Sequence, residues 1–301
     1  MTSLAPRSRL CIAAIGAAAG LSVLAAAAVA SQSGASGFAR WVLRDRTAAE
    51  LPRGPVLEHA ARRGVLVVGV RSYPRPAPPG APTPAEPDSY DLALAGHLAT
   101  KLGLRLEAVG LAPGEQETAL RAQRVDLVVA GTPDGPPGHD IVDTDGSYDT
   151  SPGTLVALRS GRLRGSGDLA GAAVCVPQGS GYAGTLAGRY GAQPRTYPSS
   201  VHAASAFMAG ECQALADHGD VIERLLRNEE WRFYRAIARG LAPEADSVIR
   251  IASGDKASRE WLSAAMREWR IDGEQDRARN ARVGNVQFEV GLLKDGLVCH
   301  S

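Results

Sequence analysis

Apolar residues in this chain fall into short blocks separated by helix-period stretches. The run VLVVGV at 65–70 and the run VDLVVA at 125–130 are continuous enough to predict strands buried on both faces. Between them, apolar positions at 90, 94, 95, 98 and 102 predict an amphipathic helix closed by Gly103. Residues 104–109 largely alternate and predict a strand, and 114–124 predict a second helix. A helix over 56–63 stops at Gly64, a favoured terminator, and the Pro-, Gly- and Ala-rich stretch 74–87 reads as an irregular loop. This β-α-β-α-β order implies an open α/β sheet with helices on its faces.

The same grammar restarts downstream. Strands are expected at 155–158 and 172–176, around a polar, Gly-rich turn at 161–167. Gly179-Ser-Gly181 opens a helix to about 189, followed by a brief strand at 196–197, a helix at 200–209 and a strand at 213–216 that ends at Asp217. A strand at 248–252 leads through Ser253 and Asp255 into a helix at 257–270. That helix carries Trp261, Leu262, Ala265, Met266 and Trp269 on one face, the spacing of a helix packed on a core. Residues 272–282 are dense in charge of both signs and read as a solvated surface segment.

Composition narrows the class. With 301 residues, 45% hydrophobic, 22% charged and a net charge of +1, the chain suits one large or two smaller globular domains. A nucleic-acid binder would show a basic excess. Arg7 and Arg9 precede an Ala-rich apolar stretch at 10–27, and Ala28-Val-Ala30 before Ser31 fits a cleavage site, so the first thirty residues read as a secretory signal. The alternative is a retained membrane anchor. Residues 31–55 read as a linker with a short helical stretch at 39–50.

Reactive chemistry is sparse. There is no GxSxG, HExxH or Walker loop. The single GxGxxG, at 179–184, follows a strand but lacks the acidic residue that a dinucleotide fingerprint wants about twenty positions on. It therefore reads as a Gly-rich helix start, a natural anion or carbonyl site, and no cofactor is expected. If Cys11 leaves with the signal, Cys175, Cys212 and Cys299 remain, with no zinc-ligand spacing. The six histidines are scattered, and His218, beside Asp217, reads as solvent-facing.

Six segments, in order, resemble the periplasmic amino-acid-type solute-binding proteins, family 3 of the extracellular solute-binding proteins, which have the type 2 periplasmic binding protein fold. They are RGVLVVGV at 63–70, SYDLALA at 89–95, LRAQRVDLVV at 120–129, 143–148, LAGAAVCVPQGS at 169–180 and AGECQALAD at 209–217. The resemblance implies two α/β lobes, each an open sheet flanked by helices: 56–154 as the first lobe, 155–250 as the second, and 251–301 as a C-terminal helical segment packing back on the first. It implies a monomer that captures a small polar solute, amino-acid- or amine-like, in the periplasm for a membrane ABC permease, with no enzymatic activity. One branch of the family carries Cys at the positions of Cys175 and Cys212, implying a disulfide there; two separate buried thiols are the alternative.

The ligand contacts that the resemblance implies are only partly present. An Arg seven residues beyond the strand-end Gly clamps the ligand carboxylate in the family; counted without gaps from Gly131 to Tyr148, that position is Gly138. Neighbouring hydroxyl positions fall on Pro133 and Gly135. Asp217 matches the residue that meets the ligand ammonium, Ser180 a hydroxyl at a helix start, and Tyr73 an aromatic cover. Thr132 keeps the one hydroxyl at the loop head, and Tyr148 lies at the crossover. Arg75 or His139 are candidates for the missing cation. A standard amino acid is therefore doubtful as ligand. The alternatives are an accessory or sensory protein with a degenerate cleft, and a dehydratase-like enzyme using Asp217 as its acid.

Overall fold

A computed structural model describes residues 46–297, apart from 76–82, 113 and 134. The expected signal, the linker up to residue 45 and Cys299 lie outside the described residues. The last ten residues of the expected linker do not behave as one. Ala48 sits in a short 3-10 turn, Ala48–Glu50, and is buried in a core. Gly54 and Pro55 already belong to helix α1, Gly54–Arg63.

The chain then forms β1 (Val65–Pro74), β2 (Ala85–Pro87), α2 (Ser89–Leu102), β3 (Arg105–Leu111), α3 (Gln116–Arg121), β4 (Leu127–Val129) and β5 (Ile141–Asp143). It crosses to β6 (Gly153–Leu158), β7 (Ala173–Pro177), α4 (Tyr182–Tyr190), β8 (Gln193–Tyr197), α5 (Ser200–Met208), β9 (Ala214–His218), α6 (Gly219–Leu225) and β10 (Tyr234–Leu241). It ends with β11 (Ile249–Ala252), α7 (Lys256–Ile271) and α8 (Glu274–Leu297). Two sheets result, each flanked by helices: a two-lobed α/β fold. In the first, β1 pairs in parallel with β3 and β4, and β11 pairs antiparallel with β4 and β5. The second runs β10-β6-β9-β7-β8.

Helix stops fall where the glycines predict them. Gly64 and Gly103 have φ of 74° and 71° and take the left-handed conformation that an L side chain resists. Asp88 caps α2 by accepting from the N–H groups of Tyr90 and Asp91, each at 3.0 Å.

Each lobe has its own core. Leu66, Val68 and Val70 of β1 pack with Leu94 and Leu98 of α2 and with Trp261, Met266 and Trp269 of α7. The aromatic stripe at 257–270 is thus core, as its spacing implies. The second core joins Val156, Cys175 and Leu215 to α5 and α6, and a disulfide links Cys175 to Cys212. Val283, Val286 and Val290 of α8 enter this second core, while α8 also touches α2 and α7 of the first lobe. The segment expected to be solvated is therefore partly built into a helix that bridges the lobes.

Candidate functional site

The carboxyl ends of β1, β4, β7 and β9 converge between the lobes, where ligands bind in open α/β sheets. β1 delivers Arg71 and Tyr73. The guanidinium of Arg71 grips Asp91 at the start of α2 in a bidentate pair, Nε to Oδ2 at 2.6 Å and Nη2 to Oδ1 at 3.1 Å. Its third nitrogen, Nη1, donates across to the carbonyl of Gln178 in the second lobe, at 3.0 Å.

This arginine explains the glycines beside it. A Cβ on Gly179 would lie 2.8 Å from Arg71 Nη1, and one on Gly131 would lie 3.2 Å from Arg71 Cζ and 2.6 Å from the Gly179 carbonyl oxygen. Both glycines have positive φ, 74° at Gly131 and 72° at Gly179. The strand-end loops are therefore bare so that a guanidinium can pass between them and the two backbones can touch. Thr132 N–H donates to the Gly179 carbonyl at 2.9 Å, which closes the lobes on each other.

Beside this contact lies a cavity of about 130 Å³. The first lobe contributes Arg71, Tyr73, Arg75, Glu86 and Asp88; the second contributes Gln178, Ser180, Ser199 and His218; α8 contributes Arg282, Asn285 and Glu289. Three arginines and three carboxylates thus face a volume below the roughly 300–1,000 Å³ of drug-sized ligand pockets. On the other side of Arg71, a more open cavity of about 240 Å³ is bordered by Pro74, Leu111, Ala130 and Thr132.

Electrostatics sort the acids. Burial disfavours ionised Asp88, but the charge of Arg71 and the Tyr73 hydroxyl, which donates to it at 2.7 Å, outweigh burial and hold its pKa below the ordinary value. Burial raises Asp91 to about 6, and Arg71 offsets only part of that. Burial likewise raises Asp217 to about 6, against hydrogen bonds from Ser200 and the His218 N–H. His218 is lowered to about 3, first by burial and then by the charge of Arg282. The Tyr182 hydroxyl donates to the Ser151 carbonyl at 2.7 Å, so His218 Nδ1, 3.1 Å from that hydroxyl, is the donor there. His218 is thus a neutral, half-buried group on the cavity and not a solvent-facing one.

The residues singled out from sequence separate into two sets. Tyr73 and Ser180 border the cavity together, Ser180 with its hydroxyl donating to the Pro177 carbonyl at 2.7 Å. Thr132 stands at the neighbouring cavity. Tyr148 and Asp217 do not border the 130 Å³ cavity: each is 1% exposed. Tyr148 accepts from Gly131 N–H and donates to Asp91, bracing the loop head. Gly138, where the ungapped count puts the family arginine, bonds Glu117 instead, through its N–H at 3.2 Å. Of the two replacement cations, Arg75 borders the cavity and pairs with Glu86 at 2.7 Å, while His139 is exposed.

Four residues were missed: Arg71, Asp88, Asp91 and Arg282. For the first three a signal existed, an Arg at a strand end followed by two acids at a helix start; Arg282 was hidden in a charge-rich run. Among the described residues, no cluster of His, Cys, Asp or Glu is arranged to hold a metal ion. No described helix is long and apolar enough to cross a membrane.

No protein-family model matches the chain, and no curated protein matches it in sequence. Solved structures do match it in fold. An amino acid ABC transporter substrate-binding protein from Streptococcus pneumoniae, bound to L-arginine, superposes with a TM-score of 0.56 at 18% identity, covering 76% of this chain and 98% of its own. A mutant of ArgBP from T. maritima gives 0.54 at 16%, covering 74% and 97%. An ancestral amino acid-binding protein, described as a precursor of cyclohexadienyl dehydratase, gives 0.54 at 20%, covering 75% and 98%. At these identities the likeness is one of fold.

Proposed function

We propose that this chain is an extracytoplasmic solute-binding protein that closes two lobes around a small polar solute, amino-acid- or amine-like, and presents it to a membrane ABC permease. The observation that carries the reading is the cavity bordered by both lobes and α8, with three arginines and three carboxylates on its wall. Such a lining recognises a solute bearing both charge signs and discriminates against apolar ones. The similarity in fold to arginine-bound substrate-binding proteins supports the same class. In this reading the first thirty residues are an export signal, the protein works as a monomer in the periplasm, and Tyr73, Ser180 and Thr132 contribute at the cleft.

The direct contacts from Thr132 to Gly179 and from Arg71 to Gln178 favour a second reading. They join the lobes by direct protein–protein hydrogen bonds, as an accessory or sensory protein with a degenerate cleft would require. A dehydratase would need its general acid at the cavity, and Asp217 does not border it.

Thermal melting of the full chain against amino acids, polyamines, small carboxylates and sugars separates the two main readings. A solute at about a hundred times its Kd adds about 2.7 kcal/mol and raises Tm by several degrees. A selective rise with one class establishes a solute site. A flat response across the panel, with a cooperative transition, replaces it with the accessory role.

A further inference from the structure

The second lobe carries a cluster of charge far from the interlobe cavity. β6 runs away from that cavity: Gly153 lies opposite His218 of β9, and Ala157 opposite Ala214. Leu158 therefore stands roughly 17 Å beyond Gly153, at the far pole of the lobe. β10 begins beside it, with Tyr234 opposite Leu158 and Leu241 opposite Gly153. The turn after β6 brings Arg159, Arg162 and Arg164 to this pole, and the start of β10 brings Arg232 and Arg235. All but Arg235, which is half-buried, are exposed.

Backbone carbonyls hold most of these guanidiniums. Arg159 Nε donates to the Arg232 carbonyl at 2.8 Å, Arg164 Nη1 to the Arg159 carbonyl at 3.0 Å, and Arg235 Nη2 to the Leu163 carbonyl at 3.3 Å. A carbonyl orders a cation without neutralising it. Arg162 makes no hydrogen bond or ion pair among the described residues. Acids nearby are few. Asp168 turns one oxygen to the N–H groups of Arg164 and Gly165, at 2.7 and 3.0 Å. Glu229 pairs with Arg232 at 2.8 Å, and Glu230 beside it borders a groove along α8. At the amino ends of β1, β3 and β4 in the first lobe, by contrast, Arg63 and Arg105 face carboxylates, Asp126 and Glu107. The second pole also exposes apolar surface. Phe233 is 57% exposed, with the Arg232 guanidinium carbon 4.6 Å from its ring centroid, and Leu158 is 44% exposed.

Arginine forks match phosphate oxygens, and an anionic bilayer attracts clustered basic side chains. An aromatic ring flanked by cations suits the headgroup layer, where apolar and charged groups are both accommodated. We propose that the far pole of the second lobe is a membrane-surface site, its arginines meeting the phosphates of an anionic bilayer and Phe233 seated among the headgroups. A lipid surface gives the exposed ring an apolar contact that a purely acidic partner would leave in water. The site is independent of whether the interlobe cavity holds a solute.

The test is hydrogen exchange of the full chain with vesicles of phosphatidylcholine alone, with vesicles of phosphatidylcholine and phosphatidylglycerol in equal parts, and with poly-L-glutamate. Exchange is read at the pole itself, so the apolar stretch at 10–27, common to every arm, does not decide the result. Residues 158–165 and 230–235 should exchange more slowly on the anionic vesicles only. Raising salt from about 0.1 to 1 M, which shortens the Debye length from about 10 to 3 Å, should abolish that protection. Each unit of charge at such a surface is worth about fivefold in affinity, so Arg162→Glu should raise the lipid concentration for half-protection about 25-fold. Arg124→Glu, the same change on an exposed arginine of the first lobe, should leave it unchanged. Phe233→Ser should raise it about five- to tenfold by removing the apolar contact. Arg162 and Phe233 are both exposed, so Tm should hold in these variants. Equal protection on the two vesicle types, protection on neither, or an equal effect of Arg124→Glu overturns the proposal. So does a midpoint unmoved by Arg162→Glu or by Phe233→Ser. Protection by poly-L-glutamate with none from the anionic vesicles would overturn it in favour of an acidic protein partner.

Discussion

Replacing both Cys175 and Cys212 with alanine should destabilise the protein through its unfolded state. The bond spans 37 residues, and the loop-closure relation gives an entropy loss in the unfolded chain worth about 4 kcal/mol at 25 °C for a loop of that length. Each kcal/mol moves Tm by about 2–4 °C in a protein of this size, so the double variant should melt about 8–16 °C lower. Circular dichroism melts of the wild type, of the variant, and of the wild type under reductant form the assay, with the reduced wild type approaching the variant. The bond ties β7 to the residues just before β9, neighbouring strands of the second sheet. Native-state hydrogen exchange should therefore lose protection at Val174 and Leu215 sooner than at Val68 and Val129. A fall in Tm below about 3 °C, or no response to reductant, would mean that the cross-link does not constrain the unfolded chain.

Three further outcomes follow from the geometry. Gly131→Ala places a Cβ 2.6 Å from the Gly179 carbonyl oxygen at a φ of 74°; the left-handed strain should cost about 1–2 kcal/mol, and small-angle scattering should show a larger radius of gyration as the lobes part. Asp217, raised to about 6 by burial, binds its proton more tightly folded than unfolded. Wild-type stability should therefore fall relative to Asp217→Asn as pH rises from about 4 to 6, by up to roughly 3 kcal/mol, as read by urea unfolding at fixed pH values. Trp269→Ala empties a core position that is 1% exposed and packs edge-on against Tyr90; chemical denaturation should show a loss of about 3–5 kcal/mol.

Much of the fold was legible because its signals are local. The strands at 65–70 and 172–176 are unbroken apolar runs, and the stops at Gly64 and Gly103 need only a residue without a Cβ. α8 was not legible. Charges of both signs over 272–282 mask its start, and Val283, Val286, Val290 and Leu293, spaced 3, 4 and 3, are a thin stripe that gains meaning only against the second core. β10 escaped because arginines at 235 and 239 and register shifts between Ala236 and Ala238 and between Arg239 and Leu241 break the alternation of its apolar positions.

The site was less legible than the fold, since its groups meet through tertiary contacts. Arg71 and Asp91 are twenty residues apart and face each other only once β1 and α2 are packed. Arg282 reaches Asp149 across 133 residues. An ungapped count along the loop after Gly131 finds no arginine for the cleft, because the guanidinium between those glycines comes from β1. The Pro- and Gly-rich loop is thus the complement of a side chain elsewhere in the chain.

The most direct test of the solute site is a titration of the wild type and of Asn285→Trp by isothermal calorimetry with whichever solute raises Tm. Asn285 is exposed on α8 and borders the cavity, so a tryptophan there blocks about 130 Å³ of space while leaving the cores intact. One-to-one binding by the wild type is expected, with at least a tenfold loss in the plugged variant and Tm unchanged in the absence of solute. A wild type that binds nothing, or a plugged variant that binds as well as the wild type, would contradict it.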